Sequence, residues 1–251
     1  MSELNGKVAL VTGASRNIGR AIALALAEGG AAVAINARTS AAEAEGVARE
    51  ISAAGGKAAV VLGDITNEND VARMMKETAE AFGAIDILVN NAAIRHEAAL
   101  EKLDYAHWRH TLAVILDGAY LCARAALPHL RKSKGGAIVN ISGMTGQTGA
   151  KLRTHIASAK AGLEGMTRAL ALELAADGIT VNCVSPGLVD TVRNAASGGT
   201  TPQHHEGRSF PLGRRVTPAE VAAMVRYLCG PQARLITGQV IHVNGGAHFG
   251  G

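Results

Sequence analysis

The chain has 251 residues, 48% of them apolar, and a formal net charge of +4, which suits a single α/β domain with a large core. The positive charge is scattered and aromatic residues make up only 3%, so the clustered basic face or stacking surface of a nucleic-acid binder is missing. No apolar run reaches the roughly 18 residues of a membrane span, and the three cysteines, Cys122, Cys183 and Cys229, lack paired spacing. With no signal-like leader, this usage points to reduced thiols in a cytoplasmic protein.

Val8 to Val11 reads as a short buried strand. The run breaks at Gly13 and resumes as an Ala/Leu-rich helix over residues 18–28. Strand, tight turn and helix start make a phosphate-binding geometry, because the unpaired N–H groups and aligned dipoles of the first helical turn favour an anion. Gly13 and Gly19 let the backbone approach where a Cβ would obstruct it. Residues 31–36 form a second strand, at whose end an NAD-preferring protein places an acid on the ribose 2′-hydroxyl. That position is Ala37, followed by Arg38, Thr39 and Ser40. A carboxylate repels a 2′-phosphate and a guanidinium pairs with it, so NADP is expected in preference to NAD, with Arg16 as a second cation.

A helix over residues 41–54 stops at Gly55-Gly56, and a strand over residues 57–62 leads to Gly63-Asp64-Ile65. A helix opens at Asn67 and runs to residue 82, and a strand over residues 85–89 meets Asn90-Asn91-Ala92-Ala93. A long helical region covers residues 105–130, interrupted near Gly118; then come a strand at 136–142, a helix at 153–176 and a strand at 180–184. Residues 187–213 are rich in Gly, Ser, Thr, Pro and His, too long for a passive connection, and read as an active-site lid. A helix at 218–229 and a strand at 239–243 finish the chain. This alternation implies an α/β fold: a single-domain, Rossmann-type doubly wound parallel sheet over residues 1–251, with helices on both faces and ligands at the carboxyl ends of the strands.

Four ordered motifs resemble those of the short-chain dehydrogenase/reductase family. They are the loop from Thr12-Gly13 to Gly19, the Asn90-Asn91-Ala92-Ala93 turn, Lys160-Ala161-Gly162, and Pro186-Gly187 followed by Thr191. The resemblance implies that the cofactor lies against Gly13, Ser15, Arg16, Asn17, Ile18 and Gly19 of the loop. It also implies contacts from Arg38, Asp64, Ile65, Asn91 and Ala92, from Lys160, and from Pro186, Gly187, Val189 and Thr191. Asn17 stands in for a small residue but tolerates left-handed dihedrals. A homotetramer built through the two long helices and the C-terminal strand region is implied as well, and alanine-rich helices and the tail 241–246 match it. The partners expected are a small-molecule substrate and further copies of the chain, with no metal, nucleic acid or membrane.

The family reduces carbonyls with a hydride from the nicotinamide and a proton from a tyrosine, assisted by a lysine four residues later, a serine and an asparagine. In this chain Lys160 is present, but the tyrosine position is Ile156, the serine position Gly143 and the asparagine position Ile115. No tyrosine occurs between Tyr120 and Tyr227. Candidates to replace the lost groups are Ser142, one residue early; His155, about 100° round the helix; and His96 with Arg95, beyond the Asn90-Asn91 turn. His204 and His205 fall in the lid, and Arg153 or Arg193 suits a carboxylate or phosphate. Met144, Gln147 and Arg153 would line the pocket mouth. Three readings stand: an NADP-dependent oxidoreductase with an atypical site, acting on a carbonyl, enone, imine or alcohol; a lyase or isomerase; and a catalytically silent NADP-binding subunit.

Overall fold

Period-two alternation in the strands decides where everything else goes. The structure is a computed structural model and describes residues 2–133, 135–192 and 210–250. Seven strands form its sheet: β1 (Val8–Val11), β2 (Ala32–Ala37), β3 (Lys57–Leu62), β4 (Ile87–Asn90), β5 (Ala137–Ile141), β6 (Thr180–Pro186) and β7 (Val240–Val243). All neighbours pair in parallel, in the order β3-β2-β1-β4-β5-β6-β7. The order reverses between β1 and β4, which opens a crevice at their carboxyl ends.

Ala9, Val11, Val33, Ile35, Ile87, Val89, Val139 and Ile141 face one side of the sheet. There they meet α1 (Asn17–Glu28), α2 (Ala41–Ala53) and α8 (Pro218–Cys229). Leu10, Ala34, Leu88, Ile138 and Val181 face the other, against α3 (Glu68–Phe82), α5 (Gly118–Leu130) and α7 (Thr154–Glu173). Strands apolar on both faces require both layers of helices.

Differences from the expected elements are confined to their ends, with two exceptions. The region 105–130 is not broken at Gly118. It runs as α4 (Tyr105–Leu112), a π-helical turn at Ala113–Asp117 and then α5, one wide turn inside a continuous helix. By length and composition Tyr105–Leu130 is apolar enough to cross a bilayer. Its Cys122, Ala126 and Leu130, however, lie in the core against the sheet. The second exception is a short helix, α6 (Thr145–Thr148), between β5 and α7.

Polar side chains tie the strand ends together. Asn36, buried at the end of β2, accepts the Gly13 N–H at 3.2 Å. Its amide donates to the Val61 and Gly63 carbonyls, each at 3.2 Å. Across the other half, Asn90 donates to Asn140 at 2.9 Å and Asn140 to Thr167 of α7 at 2.9 Å. Removing such a group leaves buried partners unmet. Asn36→Ala is therefore expected to lose about 2–3 kcal/mol in urea unfolding with an unchanged m value. A loss below about 0.5 kcal/mol, the scale of a surface substitution, contradicts the bracing role.

Candidate active site

The loop after β1 is shaped by contacts with β4. Thr12 Oγ1 accepts the backbone N–H groups of Asn91 and Ala92 at 2.9 and 3.1 Å and donates to the Val89 carbonyl at 3.3 Å. The Asn91 amide donates to the Thr12 and Gly13 carbonyls at 2.9 and 3.0 Å. Gly13 has φ +61°, and a Cβ there would lie 2.9 Å from the Ala92 Cα. A Cβ on Gly19 would collide with the Gly13 carbonyl and the Asn91 amide. Arg16, the N-cap of α1, makes no capping bond, and the first turn carries no acid. This glycine-lined helix start fits a pyrophosphate.

Asn17 takes the left-handed conformation, φ +51°. Its amide pairs both ways with the Val192 backbone, donating to the carbonyl and accepting the N–H, each at 3.1 Å. The Ile18 side chain is in the core, which leaves its backbone alone to face a ligand. Asn91 likewise has its side-chain amide engaged in bracing the loop.

At the end of β2, Arg38 is well exposed and its guanidinium lies 3.7 Å from Asp64. Arg16 lies 3.5 Å from Glu43. Both are loose surface pairs of little net worth, which an incoming phosphate can displace. Asp64 accepts the backbone and hydroxyl of Thr66 at 2.9 and 2.7 Å. Burial pushes its carboxyl up, but the Thr66 bonds and the Arg38 charge outweigh that and hold it below its ordinary value. Ile65 packs against Gly118.

On the other side of the crevice is an apolar floor. Ile115 and Ile156 are each only 2% exposed and pack with Ala159 and Leu112. Lys160 lies one turn along α7 from Ile156, buried, with its ammonium donating to the Ile141 carbonyl at 2.5 Å. Burial lowers its pKa to about 8, and the Arg95 and Arg153 charges push the same way while Glu164 opposes them.

The other candidate proton carriers are committed elsewhere. Ser142 follows Ile141 in the strand alternation and so faces α7, where its hydroxyl donates to Glu164 at 2.8 Å. The second Glu164 oxygen accepts from Gln147 at 3.1 Å, whose own oxygen meets His248 at 2.9 Å. His155 is buried; because a carbonyl only accepts, its Nε2 carries a proton and donates to the His96 carbonyl at 3.0 Å. Desolvation lowers its pKa. The His96 ring stacks on His107, with centroids 5.7 Å apart. Ser142 and His155 are thus engaged by Glu164 and the His96 carbonyl, while Lys160 lies one turn of α7 from Ile156.

Pro186 and Gly187 close the crevice beneath β7: Gly187 donates to Val243, and a Cβ on it would lie 2.8 Å from the Asn244 Cβ. Val189 bridges to Val216, and Thr191 accepts from Arg95 at 3.4 Å. Arg193, His204 and His205 lie outside the described residues, as does most of the expected lid. Glu164, four residues after Lys160 on α7 and buried, was missed in the sequence. Burial pushes all three thiols up to about 12, so they are unreactive. Among the described residues no cluster of metal-ligating side chains occurs.

The family model described as Enoyl-(Acyl carrier protein) reductase matches residues 13–248. The chain is 39% identical to a 3-oxoacyl-[acyl-carrier-protein] reductase of Staphylococcus epidermidis, covering 97% of this chain and 99% of the relative. Identity to the Aquifex aeolicus protein of the same description is 41%, over 97% and 98%. Among solved structures, a dehydrogenase/reductase from Sinorhizobium meliloti superposes with TM-score 0.92 at 37% identity, covering 98% and 97% of the two chains. A short-chain dehydrogenase from Burkholderia cenocepacia in complex with NADP gives 0.90 at 37% identity, over 98% and 99%. The glycine-lined loop, the parallel sheet and these likenesses agree: the chain belongs to the short-chain dehydrogenase/reductase family and is an oxidoreductase.

Proposed function

We propose that the protein is an NADP-dependent oxidoreductase of a small molecule whose active site works without the family's tyrosine, serine and asparagine. The observation that carries this reading is the coexistence, in one crevice, of a phosphate cradle and a floor closed by Ile115 and Ile156 around Lys160. The relatives named as 3-oxoacyl-[acyl-carrier-protein] reductases favour reduction of a carbonyl or of an enone or imine, and the NADP complex of the Burkholderia protein favours that cofactor.

In this reading the loop from Gly13 to Gly19 binds the pyrophosphate, Arg38 and Arg16 the 2′-phosphate, and Asp64 the adenine. Bound NADPH supplies the hydride. Lys160 holds a proton at Nζ, gives it to the substrate atom that gains the electron pair, and recovers one from solvent. Ser142, His155 and His96 position the walls through the bonds described above. The chain is further read as a cytoplasmic homotetramer with residues 187–213 as the substrate lid. Exposed Tyr105, Tyr120 and Leu172 on the long helices support the assembly.

Two variants test the reading. Arg38→Ala is expected to weaken NADP(H) binding about 10- to 100-fold in fluorescence titration, the worth of a charge-assisted pair, and to leave NAD(H) binding unchanged. Wild-type protein that binds NADH as well as NADPH would refute the cofactor assignment.

The second concerns the floor. At Gly143 the nearest atom to an added Cβ is 3.9 Å away, so a serine fits. At Ile156 a tyrosine must displace Ile115 or Ala159, an overpacking that costs about 1–3 kcal/mol. The double variant Gly143→Ser/Ile156→Tyr is therefore expected to lose native turnover without gaining activity on simple ketones. A double variant that reduces ketones and keeps its native activity shows that the pocket was never rebuilt.

A further inference from the structure

The short helix α6 has no side-chain cap, and a single turn has little stability of its own. It is held from outside. Gln147 donates from Nε2 to Glu164 of α7 at 3.1 Å, and its oxygen meets His248 Nε2 at 2.9 Å. An amide oxygen only accepts, so His248 Nε2 carries a proton and donates. Glu164 is only 4% exposed, and its other oxygen accepts from Ser142, just past β5, at 2.8 Å. The end of β5, α6, α7 and the segment after β7 thus meet through one amide and one carboxylate.

The segment after β7 is folded back to make this contact. Gly245 and Gly246 take φ +63° and +81°, a turn that a Cβ disfavours. Asn244 accepts the Gly246 N–H at 2.9 Å and donates to the His248 carbonyl at 2.7 Å. The His248 ring stands edge-on to His242 of β7, with centroids 5.3 Å apart.

The other side of α6 rests on Lys160. A Cβ at Gly146 would lie 3.1 Å from the Lys160 Cβ and from the Ala161 nitrogen, so a glycine is what lets α6 settle on α7 here. The four residues of α6, Thr145, Gly146, Gln147 and Thr148, are all neutral. The titratable groups that face Lys160 are Cys183 on β6, Glu164 on α7, Arg95 after β4 and Arg153 at the start of α7. Burial is the largest influence on Lys160, and an uncharged turn acts on it by excluding water.

We propose that His248 is a positioning residue: through Gln147 it latches α6 down on Lys160, so that the segment after β7 sets how dry the proton carrier is kept. The catalytic meaning of the latch rests on the reading of Lys160 as the proton carrier of an oxidoreductase; the latch itself does not.

Two measurements on the whole protein test it without turnover. Hydrogen exchange read by mass spectrometry reports on α6, and competitive labelling with trace acetic anhydride across pH reports on the Lys160 amine. His248→Ala is expected to speed exchange in the peptide 143–150 about fivefold, the worth of one hydrogen bond, and to leave the peptide 8–20 unchanged. Wild-type Lys160 is expected to label with a midpoint at about 8. In His248→Ala that midpoint moves up towards the ordinary lysine value, because water then reaches the ammonium. His248→Gln, whose amide nitrogen can stand where Nε2 stands, should restore both. Unchanged exchange over 143–150 in His248→Ala, or faster exchange with an unmoved Lys160 midpoint, overturns the proposal. So does a loss of protection shared equally by the peptide 8–20, or a glutamine variant that behaves as the alanine one. Wild-type protein that oxidises no NADPH strikes the oxidoreductase reading alone and leaves both measurements standing.

Discussion

Thr12 stands where two parallel strands end, and its one hydroxyl joins them. By accepting from Asn91 and Ala92 and donating to Val89 it locks the loop after β1 to the turn after β4. Parallel strands have no tight hairpin to hold their ends in register, so the crevice at the switch point needs such a lock. Asn91 returns the contact from the other side by donating to the Thr12 and Gly13 carbonyls. Only with this frame fixed do Gly13 and Gly19 bring the backbone close enough to form a cradle. Asn36 then extends the frame to β3, and Asn90 with Asn140 extends it to α7.

The positions proposed to lack the family's hydroxyls are packed with apolar side chains. Ile115, Ile156 and Ala159 form a packed apolar patch with Leu112 beside them. A buried ammonium is the exception. Desolvation weighs on Lys160, and its bond to the Ile141 carbonyl offsets part of that cost. A lysine so placed loses its proton near neutrality more readily than a solvated one.

Much of the fold was legible because buried parallel strands announce themselves as short β-branched runs between turn residues. Val8 to Val11 and the runs after Gly56 and Ala84 all did so. The glycine-lined loop after β1 was legible for a different reason: the spacing of Gly13 and Gly19 is a local fact. Ser142 was expected among the replacement groups, but alternation from Ile141 turns it under α7 to Glu164. Glu164 was not, because a glutamate inside a helix usually marks its solvated face, and only the docking of α7 on β5 buries it. Leu152 gave no signal either; nothing in a leucine announces a positive φ, which here is imposed by Ala98 from 54 residues away in sequence. The π-helical turn before Gly118 likewise follows from packing.

The central claim is that Lys160 carries the proton that a tyrosine carries in the family. Its most direct test is the pH dependence of single-turnover NADPH oxidation, with whichever ketone, enone or imine the enzyme consumes fastest. Protonated Lys160 is the competent form for reduction, so the rate should be level at low pH and fall as a single ionisation above about 8. Lys160→Met protein that still binds NADPH should show no turnover at any pH. A rate that stays level from roughly pH 7 to 10, or turnover that survives Lys160→Met, contradicts the account.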